Sequence, residues 1–285
     1  MFKNILIPIS SEFYSKDVLE KAATIAKKFE SKVTIIYIIE EKTLFQTEKS
    51  IDTYRTRFEK EETKKIIINS HIQTAENIVF NDAKFFFSDK GITLAKKITK
   101  GEFSIAIENE IKTKHFDLVI MGYEKVCLLK YHILDEINIP LWIVGKSDDN
   151  TLLAVCSNLT PNQKIPSISQ DLAKIFNWKY YLIYIIDIEN KTFFDESKQN
   201  FIDKSIDDLF SYGQKFIDGM QKKGINAKIA LGSFEENFFQ AIKQFNPSLV
   251  VIGQEQKRYD FLGLPVKSIN HKIAEKSKNS ILFLN

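Results

Sequence analysis

Two stretches, HFDLVIMG at residues 115–122 and NPSLVVIG at residues 246–253, decide the fold of this chain. Each predicts a short buried strand that ends in a glycine. Upstream of each lies another glycine, Gly101 or Gly232, which an amphipathic helical pattern follows. Both pairs of landmarks are 131 residues apart, since 253 − 122 = 131 and 232 − 101 = 131. A pattern repeated at this domain-sized period predicts two α/β domains.

Strand and helix patterns alternate in the same order along both halves. Strands are predicted at residues 5–9, 33–39, 92–98, 118–121 and 141–144, and again at 152–156, 180–187, 227–231, 249–252 and 281–284. Helices are predicted at 15–29, 50–83 and 104–114, and again at 167–176, 197–223, 236–245 and 268–276. Several of these strands are apolar on both faces, which is typical of parallel sheets covered by helices. The order predicts an α/β protein of two tandem doubly wound domains, each a five-stranded parallel sheet flanked by helices.

A polar stretch, KSDDN at residues 146–150, separates the two halves. Such a stretch is typical of a linker, so the domains are predicted at residues 1–146 and 151–285. Doubly wound sheets bind their ligands at the carboxyl ends of the strands, near the point where the strand order reverses. We therefore expect any binding site at that edge of each sheet.

The composition indicates a soluble globular protein without a strong attraction to nucleic acid. Hydrophobic residues make up 44% of the 285 residues, charged residues make up 27%, and the net charge is +3. The basic residues are almost all lysine, whereas arginine forks are the stronger signal of phosphate and nucleic-acid binding. We therefore expect no nucleic-acid partner.

Other simple classes of protein are not suggested either. No window approaches the roughly 18 apolar residues of a membrane span, and no secretion leader precedes the first strand, so we expect no membrane partner. The two cysteines, Cys127 and Cys156, form no spaced motif, which is typical of reduced thiols in a cytoplasmic protein. The histidines are scattered and no hydrolase or phosphate-loop motif occurs, so neither a metal site nor a catalytic residue is predicted.

Four short motifs of the first half resemble universal stress proteins of the UspA type, in their order and spacing. They are ILIPI at residues 5–9, KGE at 100–102 before a helix, DLVIMG at 117–122 and IPLWIV at 139–144. The second half matches at the same stations, so the chain resembles a tandem universal stress protein. The resemblance implies a Rossmann-like fold of the adenine-nucleotide alpha hydrolase-like type. It also implies an intramolecular pseudo-dimer of the two halves, in which Trp142 and Phe283 on the closing strands belong either to the core or to the interface.

Many members of this family bind ATP, and the resemblance implies where their signature would fall. It consists of a glycine after the fourth strand, a second glycine about three residues on, a Gly-Ser or Gly-Thr before the last helix, and an aspartate that ends the first strand. Glycines let the backbone approach the phosphates, and the helix N-terminus favours their charge. In the first half, Gly122 is followed by Tyr123, Glu124 and Lys125, and Ser10 stands at the aspartate station. This half is therefore predicted to lack a nucleotide site.

The second half keeps more of the signature, although its motif is also degenerate. The candidate nucleotide-binding residues are Cys156, Gly253, Gln256, Lys257, Lys267 and Ser268. Gln256 replaces the second glycine, Cys156 stands at the aspartate station, and Ser268 is either a ligand of the phosphates or a plain helix N-cap. ATP is thus a candidate cofactor of the second domain alone. We expect Gly253→Val to abolish such binding while it leaves the fold intact.

The favoured function is that of a non-catalytic, cytoplasmic stress-response regulator that binds a protein partner or a small ligand. Two alternatives stay open: an ATP-binding protein with weak hydrolysis in the second domain, and a structural scaffold or dimer without a ligand. Aromatic residues cluster at 85–87 and at 193–194. These clusters belong either to the core or to an exposed patch for a homodimer or a regulatory partner.

Overall fold

The computed structural model of the protein describes residues 1–11, 14–41, 56–122, 133–134, 137–146, 149–198, 200–254 and 269–285. The chain divides into two compact units, Met1–Ile139 and Pro140–Asn285. Each unit contains a mainly parallel sheet flanked by helices, which confirms the predicted α/β class. The assignment of residues 1–146 and 151–285 as two domains of one family stays a prediction.

The first unit has four parallel strands in the described residues. They are β1 (Asn4–Ser10), β2 (Lys32–Glu40), β3 (Leu94–Gly101) and β4 (Leu118–Gly122), in the order β4-β1-β2-β3. The helices are α1 (Lys16–Phe29), α2 (Arg57–Thr74), α3 (Phe80–Ser88) and α4 (Phe103–Thr113), and a π-helical segment, Ala75–Val79, joins α2 to α3. Because the strand order reverses between β1 and β4, the expected binding edge lies where these two strands end.

Helix α1 shows why the local sequence forms these elements. Its apolar residues recur at helical spacing and are buried; they are Val18, Leu19, Ala22, Ala23, Ile25, Ala26 and Phe29. Asp17 lies in the first turn and Lys27 and Lys28 in the last, where each charge complements the helix dipole. The helix ends at Glu30, which adopts the left-handed conformation with a φ of 52°.

The second unit contains the predicted five-stranded parallel sheet. Its strands are β6 (Thr151–Ser157), β7 (Lys179–Asp187), β10 (Ala227–Gly232), β11 (Leu249–Gly253) and β12 (Ser280–Leu284), in the order β10-β7-β6-β11-β12. The helices are α5 (Ile165–Phe176), α6 (Ile206–Lys222), α7 (Phe234–Phe245) and α8 (Ile269–Lys276). The strand order reverses between β6 and β11, which therefore flank the second switch point.

Strand β5 (Leu141–Val144), which the sequence predicts as the last strand of the first half, forms over these residues and pairs antiparallel with β12. Trp142 is opposite Leu282, and its ring meets the Phe176 ring edge-on at 6.3 Å between centroids. Both Trp142 and Phe283 are buried.

The helix predicted over residues 197–223 begins later than expected. A hairpin of β8 (Thr192–Asp195) and β9 (Asn200–Asp203) precedes it, and the helix α6 starts after Ser205. The Ser205 hydroxyl accepts a hydrogen bond from the Asp208 amide at 3.1 Å, which is the geometry of an N-cap. The prediction was wrong here because the second strand of the hairpin, Asn200–Asp203, was taken for the start of the helix.

The two aromatic clusters are divided between core and surface. Phe87 and Phe194 are buried, whereas Phe85, on helix α3, is 69% exposed. The ring of Phe193 stacks on the ring of Tyr212, with 4.9 Å between the centroids. Each cluster thus contributes one residue to the core beneath it.

Candidate functional site

The two switch points place comparable residues at the carboxyl edge of each sheet. In the first unit these are Ser10, at the end of β1, and Gly122, at the end of β4. In the second unit Ser157 ends β6 and Gly253 ends β11. The two edges can therefore be compared as candidate ligand sites.

Tyr14 lines the carboxyl edge of the first unit. The Tyr14 hydroxyl donates to the Asp82 carboxylate at 2.6 Å, and Lys16 pairs with the same carboxylate at 3.1 Å. Burial raises the pKa of Tyr14, and the bond to Asp82 raises it further. The Tyr14 hydrogen bond in turn holds the pKa of Asp82 below its usual value. The cavity that Tyr14 lines together with Ser10 and Gly122 measures about 10 Å³, which is space for one water molecule.

The strand registers identify the counterpart of Ser10 in the second unit. Asn4 at the start of β1 pairs with the first residue of β2, and Thr151 at the start of β6 pairs with the first residue of β7. Counting along the strands from these two residues makes Ser157 the counterpart of Ser10, so the station assigned to Cys156 lies one residue further on. The side chains at both stations are hydroxyls, and neither supplies the carboxylate that the family signature has there.

Cys156 lies inside the sheet. Its side chain is fully buried, and burial raises the pKa of the thiol well above its usual value. It follows Val155, which pairs with Ile252, so Cys156 and Gly253 lie near one another on neighbouring strands. Burial of the thiol leaves only the backbone of this residue for contact with a ligand.

Gly253 has a structural reason to be glycine. A Cβ atom at this position would lie 2.3 Å from the Pro161 carbonyl oxygen and 3.2 Å from the Thr160 Cβ. The loop after β6 therefore packs directly on the backbone of Gly253. This contradicts the expectation that Gly253→Val leaves the fold intact, because the first atom of the new side chain already overlaps the backbone of the loop.

The loop after β6 is held by a buried asparagine. The side chain of Asn158 accepts from the Asp187 amide at 2.7 Å and donates to the carbonyl oxygens of Asp187 at 3.1 Å and Thr192 at 2.6 Å. The Asn158 carbonyl accepts from the Phe194 amide at 2.8 Å. A fully buried amide with all these bonds made fixes the loop to the end of β7 and to the hairpin.

The same loop meets a carboxylate from the hairpin turn. The amides of Asn162 and Gln163 donate to the Glu196 carboxylate at 2.6 and 3.1 Å. These amides lie directly before helix α5, where the helix dipole favours negative charge. Asn162 also folds back on β6, since its side-chain oxygen accepts from the Ser157 amide at 3.0 Å. Glu196 thus supplies from within the chain the anion that such a helix start attracts.

An acidic residue ends the second strand of each sheet, which the sequence reasoning missed. The register pairs Glu40 with Gly101 and Asp187 with Gly232, so the two acids are counterparts. Both are buried, and the Asp187 carboxylate accepts from the Phe234 amide at 2.9 Å, at the start of helix α7. An acid just after the second apolar run in both halves was the available signal. Asp187 is therefore explained by capping of a helix.

A larger cavity lies at the carboxyl edge of the second unit. Its volume is about 150 Å³, and it is lined by Pro161, Gln163, Lys164, Ile165, Glu196, Leu284 and Asn285. The Lys164 ammonium donates to the Asn285 carbonyl at 3.0 Å across one side of it. A cavity of this volume holds a molecule about as large as benzene. One carboxylate, one ammonium and three apolar side chains face a ligand of that size.

Four of the predicted site residues, Gln256, Lys257, Lys267 and Ser268, lie outside the described residues. Their role as nucleotide ligands stays a prediction, as does that of Cys156 and Gly253. Over the ranges that the structure describes, no group of three or more His, Cys, Asp or Glu side chains is placed to hold a metal ion. None of the described helices combines the length and the apolar character needed to cross a membrane.

Comparison with known proteins supports, for the first part of the chain, the family that the sequence motifs suggested. Residues 1–134 match the model of the universal stress protein family. No curated protein sequence matches the chain.

Three solved structures share the fold over almost the whole chain, each at 13% identity and each covering 99% of this chain. A candidate universal stress protein from Pseudomonas aeruginosa has a TM-score of 0.66 over 93% of its own length. A functionally unknown protein from the same species has a TM-score of 0.65 over 92% of its length. A universal stress protein from Archaeoglobus fulgidus has a TM-score of 0.61 over 98% of its length. Residues 1–134 thus match the universal stress protein family, and the chain as a whole shares the fold of these three solved structures.

Proposed function

We propose that this protein is a non-catalytic, cytoplasmic regulator of the stress response that acts by binding a small ligand at the carboxyl edge of its second unit. The observation that carries the proposal is the difference between the two edges. The cavity in the first unit measures about 10 Å³, and that in the second measures about 150 Å³. Binding at the second edge would make one half of the tandem protein a sensor, while the other half serves the fold.

ATP is the runner-up ligand, with weak hydrolysis as its consequence. Gly253, at the end of β11, and the lysines predicted after it favour this reading. The packing of Pro161 on Gly253 and the lack of a carboxylate at Ser157 oppose it. The cavity is also smaller than the pockets of about 300–1,000 Å³ that enclose larger ligands. A nucleotide would therefore have to displace the loop after β6 or extend beyond the cavity.

A titration and a search for co-purifying molecules test this proposal together. The purified chain is analysed by native mass spectrometry for bound small molecules, and it is then titrated with ATP and magnesium by calorimetry. Binding of ATP would favour the runner-up, and a small non-nucleotide ligand would support the proposal. If neither a co-purified molecule nor millimolar ATP binds, the ligand-binding function is wrong.

A pair of lysine variants locates the site. Lys164→Ala removes an ammonium that lines the cavity, whereas Lys174→Ala removes an exposed one from the last turn of the same helix. We expect the first variant to weaken the ligand about tenfold and the second to leave its affinity unchanged, because a charge-assisted contact is worth about 1.5–3 kcal/mol. Equal affinities in the two variants would place the ligand elsewhere.

The remaining alternative is a structural scaffold without a ligand, which is tested through the way in which the chain assembles. The strand that closes the first half of the sequence pairs antiparallel with β12, which closes the second half. This pairing supports the proposal of an intramolecular pseudo-dimer. Analytical ultracentrifugation then distinguishes a monomeric tandem protein from a further homodimer, and an affinity search with the intact chain tests for a regulatory protein partner.

A further inference from the structure

The loop that covers Gly253 is attached at two points of different strength. At its start, Asn158 is 1% exposed and holds the ends of β7 and β8 through its side chain. At its far end, the amides of Asn162 and Gln163 are held by Glu196, whose side chain is only partly buried. The part-buried Asn162 side chain also accepts from the Ser157 amide at 3.0 Å and donates to the Ser157 carbonyl at 2.6 Å. Water competes for a carboxylate at such a position, but it does not reach a buried amide. The first attachment is therefore better shielded from water than the second, which is the one that can be released.

Pro161 lies between the two attachments. Its carbonyl oxygen occupies the position next to the Gly253 Cα, and its ring contributes to the wall of the 150 Å³ cavity. Glu196 lines the same cavity from the hairpin side. Movement of this one segment would therefore change both the exposure of the Gly253 backbone and the size of the cavity.

We propose that Glu196 is a latch that closes the ligand site of the second unit. While its carboxylate holds the amides of Asn162 and Gln163, Pro161 covers Gly253. When the carboxylate releases these amides, the Asn162 side chain separates from Ser157, and the loop turns about Asn158 and uncovers the end of β11. The latch rests on the proposed function only for the identity of the site that it controls, since the loop and its two attachments are features of the fold.

The alternative is that Glu196 is a local cap, with no influence on the rest of the loop. The two roles differ in which amides they protect. A local cap protects only the amides of residues 162 and 163, which donate to it. A latch also protects Leu159, whose amide donates to the Ser157 hydroxyl at 3.1 Å, and the neighbouring Thr160. Hydrogen exchange of these two amides therefore decides between the roles.

The experiment compares Glu196→Ala with the wild type in the full chain, by amide hydrogen exchange. The matched control is Glu59→Ala, which removes a carboxylate that accepts the Thr56 amide at 2.7 Å at the start of another helix. We expect exchange at Leu159 and Thr160 to become about tenfold faster in Glu196→Ala and to stay unchanged in the control. Glu196→Gln, which keeps one acceptor oxygen, should fall between them and serves if the alanine variant does not fold.

Faster exchange confined to residues 162 and 163 would overturn the latch. An ATP and magnesium titration of the same variants keeps this outcome separate from the fate of the proposed function. Faster exchange at Leu159 together with tighter ATP binding supports the latch and identifies its site. Faster exchange at Leu159 without ATP binding supports the latch and removes the nucleotide alternative.

Discussion

Replacing Gly253 by alanine should destabilise the second unit, because the added methyl group has no space. The Cβ would lie 2.3 Å from the Pro161 carbonyl oxygen, whereas an ordinary contact begins near 3.4 Å, so the loop must retreat by about 1 Å. The loop is tied down by Asn158 and Glu196, and it cannot retreat without straining those bonds. Overpacking of this kind costs about 1–3 kcal/mol.

The assay is urea unfolding of the intact chain, followed by circular dichroism and repeated as a thermal melt. A loss of about 2 kcal/mol corresponds to a lower melting temperature by about 4–8 °C for a unit of this size. Gly219→Ala is the control, since a methyl group at this position, near the C-terminal end of helix α6, meets no atom within 4 Å. It should stabilise the protein by about 0.5–1 kcal/mol. If both variants are as stable as the wild type, or if Gly253→Ala is the more stable of the two, the close packing of Pro161 is wrong.

Three further changes test other parts of the structure. Asn158→Ala should cost about 3 kcal/mol in urea unfolding, because the Asp187 amide and carbonyl lose their buried partner, whereas the exposed Asn200→Ala should change stability little. Tyr14→Phe should let the pKa of Asp82 rise toward 3.8, which NMR titration measures. Because the folded pKa of Asp82 is depressed, the stabilisation that its charge provides exists above pH 3.8 and disappears as the pH falls through the folded pKa. A stability difference between the variant and the wild type that persists at lower pH would contradict the assignment. Glu110→Gln should lower the free energy of unfolding by about 1–2 kcal/mol, since the buried carboxylate pairs with Lys97 and Lys114. The control Glu108→Gln, at a more exposed carboxylate, should lower it by less than about 0.5 kcal/mol, and equal losses in the two variants would refute the role of burial.

The local sequence pattern was sufficient to predict the elements whose own apolar residues form a continuous run or recur at a regular spacing. The continuous apolar runs of β1, β6 and β11 predicted buried strands, and the stripe of α1 predicted its buried face. The pairing of β5 with β12 could not be predicted in this way. Its four residues, Leu-Trp-Ile-Val, suit any sheet edge, and the choice of β12 depends on contacts about 140 residues away along the chain.

The local sequence pattern predicted even less of the candidate site. Sequence motifs directed attention to Gly253 and to the lysines after it, because glycine and cations are the residues that phosphates need. The residues that shape the described part of the edge are instead Asn158 and Glu196, polar residues in turns. Polar residues are common in turns, and the bonds that single these out reach 29 to 34 residues along the chain. An internal repeat helps little, because the equivalents of such residues need not be conserved between the halves.

The pairing of β5 with β12 decides where the chain can be cut. A fragment that begins at residue 151, after the polar stretch, would lack β5 and leave the apolar strand Ser280–Leu284 with one side unpaired. An uncovered apolar edge invites pairing with other molecules, and such a fragment should aggregate. A fragment that begins at Pro140 would carry β5 and keep β12 covered. Attempts to study the second half in isolation should therefore begin six residues before the apparent linker.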